Sequence, residues 1–140
     1  MSEVYIALGG NIGNTHAYFI RAIRALNECG IKVQRVSDFM RSAPYGGVEQ
    51  AIFLNAVLEA RTDKEPLELL RALKDIEVRL GRVASERWGP RCIDLDILLY
   101  DDLQLQTPQL TIPHKDMHNR DFVLIPLQQL RGKCYHERKS

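Results

Sequence analysis

The sequence feature that most restricts the fold is an amphipathic segment that begins at Pro66 and ends at Gly81. Its apolar residues recur at steps of three and four, as they do on the buried face of an α-helix. Proline suits the first turn of a helix, and glycine favours its end. The apolar positions are Leu67, Leu70, Leu73, Ile76 and Leu80. A helix with both ends defined by the sequence is therefore predicted here.

Short β-rich runs and a second helix flank this segment. In chain order the prediction is strand Val4–Leu8, helix Thr15–Cys29, strand Val33–Phe39, strand Phe53–Ala60, the helix above and strand Ile93–Tyr100. A loop covers residues 42–50, and Asp101-Asp102 turns the chain into a short partner strand at Leu103–Leu105. The order β-α-β-β-α-β predicts an α+β, ferredoxin-like sandwich with helices on one face of an antiparallel sheet, plus C-terminal additions. Many unrelated functions use this topology, so the fold leaves the function open.

The size and charge of the chain narrow the class of protein. A length of 140 residues, 45% of them hydrophobic, suits one compact domain, which we predict over residues 1–130 with a polar tail over 131–140. The net charge of +1 gives no general reason to expect a nucleic acid or an anionic membrane as partner. No apolar run approaches the roughly 20 residues that span a bilayer, and the N-terminus has no signal-peptide pattern, so the cytoplasm is expected. The widely spaced Cys29, Cys92 and Cys134 are predicted to be reduced thiols.

Two acidic residues interrupt the apolar strand that ends at Tyr100. Because side chains alternate along a strand, Asp94 and Asp96 should project together from one face, opposite Ile93, Leu95, Ile97 and Leu99. Adjacent carboxylates in an apolar strand repel each other and call for a compensating cation. Mg²⁺ is the natural candidate, since it commonly binds through one or two carboxylates together with substrate phosphates. The alternative is an edge strand on which both aspartates face water.

Arginines and other donors lie close to this acidic pair in the sequence. Arg82, Arg87 and Arg91 occupy the Gly- and Pro-bearing stretch before the strand, where guanidinium groups could bind phosphate oxygens. A second group of donors, His114, Lys115 and Arg120, follows the strand, although these residues could also be ordinary surface charges. Carboxylates for a metal and arginines for phosphate together indicate a nucleotide polyphosphate. The His114 and His118 spacing alone is a weak signal for zinc.

Five ordered blocks form a longer signature. The most specific are Arg-Trp-Gly-Pro-Arg-x-Ile-Asp-Leu-Asp-Ile at 87–97 and Pro-His-x-x-Met-x-x-Arg-x-Phe-Val-Leu at 113–124. The others are Ala-Leu-Gly-Gly-Asn-Ile-Gly at 7–13, Phe-Leu-Asn-Ala-Val at 53–57 and Ile-Glu-x-x-Leu-Gly-Arg-Val at 76–83. With these blocks the chain resembles, over nearly its whole length, the 6-hydroxymethyl-7,8-dihydropterin pyrophosphokinases.

The resemblance implies an ATP-dependent pyrophosphokinase of folate biosynthesis. Such an enzyme transfers the pyrophosphoryl group of ATP to the hydroxymethyl oxygen of the dihydropterin and releases AMP. Asp94 and Asp96 would hold two Mg²⁺ ions, and Arg82 and Arg91 would be further catalytic residues that contact the polyphosphate. The implied ATP contacts are Glu77, Arg82, Trp88, Arg91, Ile97, Thr111, His114 and Arg120. The implied pterin contacts are Asn11, Ser42, Ala43, Pro44, Tyr45, Phe53, Asn55, Asp94 and Phe122.

Within that implied pterin site, Phe53 and Phe122 would stack on the two faces of the flat ring. Asn55 would recognise the edge of the ring, because an amide offers both a donor and an acceptor. Phe122 could instead be an ordinary core residue. Small molecules are the only partners implied, and a monomer is expected.

Some positions depart from the family pattern. The stretch after Arg82 is one residue shorter than in some members, with Ala84 at a position that is often basic, and Lys115 replaces a common aromatic residue or proline. The two loops at 42–50 and 82–90 resemble the mobile covers of the family. Two other functions stay open from the residues: a Mg²⁺-dependent nucleotidyltransferase of similar fold, and a non-catalytic ferredoxin-like module that binds a small ligand.

Overall fold

The computed structural model describes residues 1–11, 14–43, 52–81 and 93–132. The strands are β1 (Ser2–Gly10), β2 (Ile31–Val36), β3 (Met40–Ser42), β4 (Phe53–Thr62), β5 (Asp94–Tyr100), β6 (Leu105–Gln106) and β7 (Thr111–Ile112). The helices are α1 (Thr15–Glu28), α2 (Pro66–Arg79) and α3 (Asp121–Arg131), and a 3₁₀ turn (Met117–Asn119) precedes α3. Arg131, which we assigned to the tail, is the last residue of α3, and Gly132 caps that helix with φ 66°.

The main sheet is antiparallel and has the strand order β2-β4-β1-β5, with β3 paired to the other end of β4. The β4 strand runs against the whole of β1, from Ser2↔Thr62 to Gly10↔Leu54. β5 pairs with β1 from Val4↔Tyr100 to Gly9↔Asp94 and is the outer strand of this described sheet. The predicted α+β, ferredoxin-like fold is confirmed.

The predicted strand Val33–Phe39 is too long, because β2 ends at Val36 and a break precedes β3, which begins at Met40. Ser37 lies in this break, where its amide donates to the Val57 carbonyl at 2.8 Å and its hydroxyl accepts from the Val57 amide at 2.9 Å. The serine side chain thus makes the bond that a backbone carbonyl would make in a continuous strand. β3 then pairs with the start of β4, which brings Ser42, predicted to lie in a loop, opposite Phe53.

Helices cover both faces of the sheet. α1 and α2 pack on one face, where Phe19, Leu26, Leu69, Leu73 and Ile76 join the alternate residues of β1, β4 and β5 in the larger core. The other face carries α3, whose buried residues are Val123, Leu124, Leu127 and Leu130. The two helices of the β-α-β-β-α-β unit thus lie on one face as predicted, and α3, one of the C-terminal additions, covers the other face. The sequence did not predict α3, because Pro126 lies inside it and a proline, which lacks an amide hydrogen, disfavours the interior of a helix.

A β-bulge in β5 changes which side chains share a face. Tyr5 pairs with Leu99, but the next residue of β1, Ile6, pairs with Ile97, so Leu98 is the extra residue. As a result Leu98 and Leu99 both lie with the core under α3. The prediction that Leu99 shares a face with Ile93 was wrong, because strict alternation fails at a bulge.

The partner strand predicted at Leu103–Leu105 also differs. The chain does turn at Asp101, which has φ 47° and exchanges 2.8 Å hydrogen bonds with Glu3. However, Leu105–Gln106 pairs with Thr111–Ile112 as a separate two-stranded sheet rather than with β5. This small sheet lies beside the site described next.

Candidate functional site

The acidic pair lies on the α3 face of the sheet. Asp94 is opposite Gly9 of β1 and Asp96 is opposite Ala7, and both aspartates are half-buried. Ile93, Leu95 and Ile97 point to the opposite core and are at most 2% exposed. Among the described strands β5 is an outer strand, as the alternative interpretation supposed, but its carboxylates are half-buried rather than fully solvated.

Gly9 of β1 lies between Asp94 of β5 and Asn55 of β4. Gly9 pairs with Asp94 on one side and with Asn55 on the other. A Cβ atom on Gly9 would lie 3.4 Å from Oδ1 of Asn55. Because Gly9 has no side chain, no group projects from this position between the amide and the carboxylate.

The amide of Asn55 is oriented by its neighbours. Its Nδ2 atom donates to the Met40 carbonyl at 3.0 Å and to the Ser42 hydroxyl at 2.9 Å, so both amide hydrogens are used within the protein. Asn55 is 7% exposed. We expected this amide to offer a ligand both a donor and an acceptor. Because both of its hydrogens are bound within the protein, the side-chain oxygen Oδ1 is the atom left to accept a hydrogen bond from a ligand.

The two aromatic residues predicted to stack on the pterin come from different elements. Phe53 begins β4 two residues before Asn55 and so shares its face of the sheet. Phe122 is the second residue of α3 and packs against the core under that helix. Its ring lies 6.0 Å from the guanidinium of Arg120. Of the other predicted pterin contacts, Asn11 is buried directly after β1, and Ser42 and Ala43 end and follow β3.

A cleft of about 250 Å³ lies on the other side of the acidic pair. Four residues predicted from the sequence line it: Asp96, Ile97, Thr111 and His114. Lys115, which the sequence left open as a phosphate donor or a surface charge, also lines the cleft. The remaining lining residues were not predicted to belong to a site: Leu70, Lys74, Thr107, Pro108, Gln109 and Leu110. The residues from 107 to 110 are brought here by the β6-β7 sheet, which local patterns did not predict.

His114 has a defined protonation state in this cleft. Burial of the imidazole lowers its pKa below the ordinary 6.5, although the nearby Asp96 carboxylate acts in the opposite direction. Its Nδ1 atom accepts a hydrogen bond from the Asp116 amide at 3.2 Å, which requires that nitrogen to be unprotonated. Burial and this hydrogen bond both favour the neutral ring with its hydrogen on Nε2. Arg120, which pairs with Asp116 at 3.5 Å, brings a permanent positive charge to the same segment.

Glu77, one of the implied ATP contacts, has polar partners within the protein. It is 2% exposed, and its Oε2 atom accepts a 2.7 Å hydrogen bond from the amide of Leu95, between the two aspartates. Its other carboxylate oxygen lies 3.6 Å from Nζ of Lys74, a lining residue of the cleft. A direct contact of Glu77 with a nucleotide stays a prediction.

Several predicted site residues lie outside the described residues. These are Pro44, Tyr45, Arg82, Trp88 and Arg91. The same holds for Arg87, Ala84, Cys92, Cys134 and most of the two predicted cover loops. Their contribution to the site stays a prediction.

The chemistry of the acidic pair fits a hard divalent cation, because such ions prefer oxygen ligands. Within the described ranges, no group of three or more His, Cys, Asp and Glu side chains is arranged to hold a metal ion. Two neighbouring carboxylates suit Mg²⁺, which commonly binds through one or two carboxylates, keeps several waters and completes its shell with substrate phosphates. The cleft of about 250 Å³ beside Asp96 has room for such phosphates.

An antiparallel α+β sheet with a carboxylate pair beside a cleft of phosphate-compatible donors is typical of Mg²⁺-dependent enzymes that use nucleotides. The comparison with protein families makes this specific, since residues 5–132 match the family described as 7,8-dihydro-6-hydroxymethylpterin-pyrophosphokinase. The chain belongs to this family.

Individual relatives agree with the family match. A 2-amino-4-hydroxy-6-hydroxymethyldihydropteridine pyrophosphokinase of Bacillus subtilis is 43% identical over 137 residues, which cover 97% of this chain and 82% of the relative. The bifunctional protein FolKE of Lactococcus lactis is 45% identical over 136 residues, or 96% of this chain. This chain spans only 39% of the length of that bifunctional protein.

Solved structures support the fold. The chain of a Plasmodium falciparum HPPK-DHPS crystal structure with pteroate superposes with a TM-score of 0.71 at 16% identity, covering 91% of this chain and 38% of that one. At this level of identity the likeness shows the shared fold alone. In the part of the chain that the structure describes, no helix has the length and apolar character needed to cross a membrane.

Proposed function

We propose that this protein transfers the pyrophosphoryl group of ATP to the hydroxymethyl oxygen of 6-hydroxymethyl-7,8-dihydropterin, releasing AMP, in folate biosynthesis. One observation supports the proposal: the two aspartates of the acidic pair have different neighbours. Asp94 is paired with Gly9, which is paired in turn with Asn55, whereas Asp96 lines the cleft with His114. A pair of carboxylates so placed can serve a reaction between a ligand beside Gly9 and a ligand in the cleft.

The pterin is assigned to the sheet surface at Gly9 and Asn55, which we call the pterin recess. The carbonyl oxygen of Asn55 accepts a hydrogen bond from an N–H group on the ring edge, because both amide hydrogens are held by Met40 and Ser42. Phe53 and Phe122 supply apolar surface for the faces of the ring. In this arrangement the hydroxymethyl group points along the sheet toward Asp94.

ATP is assigned to the cleft that contains His114. The Nε2–H group of the neutral imidazole donates to a phosphate oxygen, and Arg120 supplies a cation nearby. Arg82 and Arg91 are proposed as further phosphate contacts, with Trp88, Ile97 and Thr111 against the nucleoside. Lys74 and Lys115, which also line the cleft, add positive charge for the polyphosphate.

The transfer itself needs little covalent chemistry from the protein. The alcohol oxygen forms a bond to the β-phosphorus, and the bond from that phosphorus to the α,β-bridging oxygen breaks, so AMP leaves with the bridging oxygen. A carboxylate oxygen of the acidic pair can accept the proton of the alcohol. Mg²⁺ held by Asp94 and Asp96 would supply charge neutralisation at the phosphates and a lowered hydroxyl pKa. The binding of two ions, a monomeric state, the single domain over residues 1–130 and a cytoplasmic location are parts of the same proposal.

Product analysis tests the proposal directly. Wild-type protein with Mg²⁺, ATP and the dihydropterin alcohol should form AMP and pterin pyrophosphate in equal amounts, and no AMP should form without the pterin. Asp94→Asn and Asp96→Asn should lower kcat by at least about 100-fold, in the range expected when a metal ligand of a transferase is lost. Asp102→Asn, which removes the same charge from the exposed turn after β5, should behave as wild type.

The products also separate the alternatives. A nucleotidyltransferase would release pyrophosphate and attach AMP to its acceptor, whereas a non-catalytic module would bind ligands without turnover. Either result with the wild-type protein would refute the proposed reaction. Full activity in both aspartate variants would refute the role of the acidic pair while leaving the reaction in place.

A further inference from the structure

The amide between the two aspartates has an unusual partner. β5 is the outer strand of the described sheet, so on its far side no strand accepts hydrogen bonds from it. The amide of Leu95 donates instead to Oε2 of Glu77, a side chain of α2, at 2.7 Å. A hydrogen bond to a carboxylate is stronger than one between neutral groups, and a buried one is strengthened further by the low local dielectric.

The position of Leu95 makes this bond relevant to the acidic pair. Its side chain is fully buried in the core under α1 and α2, while the aspartates on either side of it project from the other face. The ladder to β1 is regular from Asp94 to Ile97 and holds one side of β5 at the acidic pair. The hydrogen bond from the Leu95 amide to Glu77 holds the other side of the strand at the point from which both carboxylates project.

The second oxygen of Glu77 connects the same carboxylate to the cleft. Lys74 Nζ lies 3.6 Å from Oε1, and Lys74 lines the cleft together with Asp96 and Ile97. Glu77 is 2% exposed, so it is shielded from solvent by the elements around it. One carboxylate thus holds the metal-binding strand and a cation of the cleft at the same time.

We propose that Glu77 is a positioning residue for the acidic pair, acting through the Leu95 amide rather than by contact with nucleotide. Its carboxylate sets the spacing of Asp94 and Asp96 that a divalent cation requires. This inference rests on the proposed function for its meaning in catalysis, but the metal site and its support can be tested without turnover. Groups that orient metal ligands from outside typically change metal affinity or activity by about 10–100-fold when they are removed.

The test compares Glu77→Gln, Glu77→Leu and the matched control Asp75→Asn, an exposed carboxylate on the same helix. Glutamine can still accept the Leu95 hydrogen bond through its neutral oxygen, whereas leucine cannot. Amide exchange at Leu95, measured by NMR on metal-free protein, should be slow in wild type and the control, faster in Glu77→Gln and fastest in Glu77→Leu. If Leu95 exchange is unchanged in Glu77→Leu, the proposed support of β5 is wrong.

Metal binding is the second readout. Mn²⁺ is added alone, and then with an ATP analogue whose α,β-bridging oxygen is a methylene group, while paramagnetic broadening of the Asp94 and Asp96 amide signals is followed. The concentration of Mn²⁺ for half-maximal broadening should rise about tenfold or more in Glu77→Leu and less in Glu77→Gln. Binding of the analogue in EDTA should be equal in all four proteins.

The outcomes separate this inference from the proposed reaction. Loss of analogue binding in EDTA, with Mn²⁺ broadening unchanged, would make Glu77 a nucleotide contact and overturn the inference. Wild-type protein that binds Mn²⁺ but forms no AMP would refute the proposed function and leave the positioning role supported by the broadening. If Glu77→Leu does not fold, Glu77→Gln decides: unchanged exchange and unchanged broadening in that variant would overturn the inference.

Discussion

The side-chain oxygen Oδ1 of Asn55 lies 3.4 Å from the point at which a Cβ atom on Gly9 would be placed. This is ordinary van der Waals contact, so the fold itself has room for a methyl group. The methyl group would nevertheless project into the proposed pterin recess. The two consequences can be separated by experiment, which makes Gly9 a sharp test of the proposed pterin recess.

Gly9→Ala should weaken binding of the pterin without weakening the fold. Gly9 lies within β1, where alanine is favoured over glycine by about 0.5–1 kcal/mol, so the free energy of unfolding should be equal to wild type or slightly higher. The KM for the pterin should rise about tenfold or more, because one extra methyl group in a packed site costs about 1–3 kcal/mol. Urea unfolding and steady-state kinetics measure the two effects. An unchanged KM for the pterin, with the KM for ATP as reference, would place the pterin elsewhere.

Asn55→Asp should damage both the fold and pterin binding. In the aspartate, one carboxyl oxygen still faces the proposed recess, but the other replaces the amide nitrogen that donates to the Met40 carbonyl. Two hydrogen-bond acceptors then face each other with no donor between them. Leaving buried polar groups unsatisfied costs about 1–3 kcal/mol, and the free energy of unfolding should fall by that amount. Ser42→Ala, which removes only one of the two acceptors of the Asn55 amide, should have a smaller effect. Equal stability of Asn55→Asp and wild type would show that the amide is not held as described.

The stability of the metal-free protein should depend on His114 at mildly acidic pH. Burial lowers the pKa of His114 in the folded state, whereas in the unfolded chain it stays near 6.5. Below about pH 6.5 the unfolded state therefore binds more protons, and the free energy of unfolding contributed by this group falls as the pH falls. Above that range the histidine is neutral in both states and the effect is absent.

His114→Asn provides the comparison, since the asparagine oxygen can still accept the hydrogen bond from the Asp116 amide. Urea unfolding between about pH 5 and pH 7.5, the range in which histidines titrate, should show a shallower loss of stability in this variant than in wild type. His118→Asn, at an exposed position in the 3₁₀ turn, should keep the wild-type slope. Identical slopes for wild type and His114→Asn would contradict the lowered pKa.

An ion pair at the far end of the same face anchors α3. Arg35 of β2 donates from Nε and a terminal nitrogen to one oxygen of Glu59, at 2.9 and 2.6 Å, and also to the carbonyl of Leu130 in α3. The Glu59 carboxylate raises the pKa of Arg35. Arg35→Met should lower Tm by several degrees, because it leaves the carboxylate of Glu59, whose side chain is 9% exposed, buried without this cation.

Thermal unfolding of a double-mutant cycle measures this coupling. Glu59→Gln should cost less than Arg35→Met, and the double variant Arg35→Met/Glu59→Leu should recover part of the lost Tm, because no buried charge remains. Additive losses would show that the pair does not act as a unit. Since α3 also carries Phe122, a raised KM for the pterin in Arg35→Met would connect this anchor to the proposed recess.

Local sequence patterns were sufficient to predict a helix or strand where its buried side chains recur at regular spacing. The periodicity of α2 and the signals at Pro66 and Gly81 gave its position, and the alternation around Leu95 placed Asp94 and Asp96 on a common face. The order of elements then led to the antiparallel α+β fold. These features are determined locally, because helix and strand periods fix which side chains can be buried together.

Other features required contacts between residues far apart in the chain. Pro126 argues locally against a helix, yet α3 forms because its apolar face completes the core on the second side of the sheet. The bulge at Leu98 depends on pairing with β1, and the direction of the Asn55 amide depends on Met40 and Ser42 in β3. No pattern within a short window contains this information.

The sequence by itself therefore determined the family signature, the principal helices and strands and the acidic pair, since each depends on residue type and short-range spacing. Tertiary structure alone decided that Asp94 lies beside Gly9 while Asp96 lines a cleft with His114, and that Glu77 accepts a hydrogen bond from the amide between the two aspartates. The physical reason is that a buried hydrogen-bonding group must find its partner wherever the fold brings one, irrespective of distance along the chain.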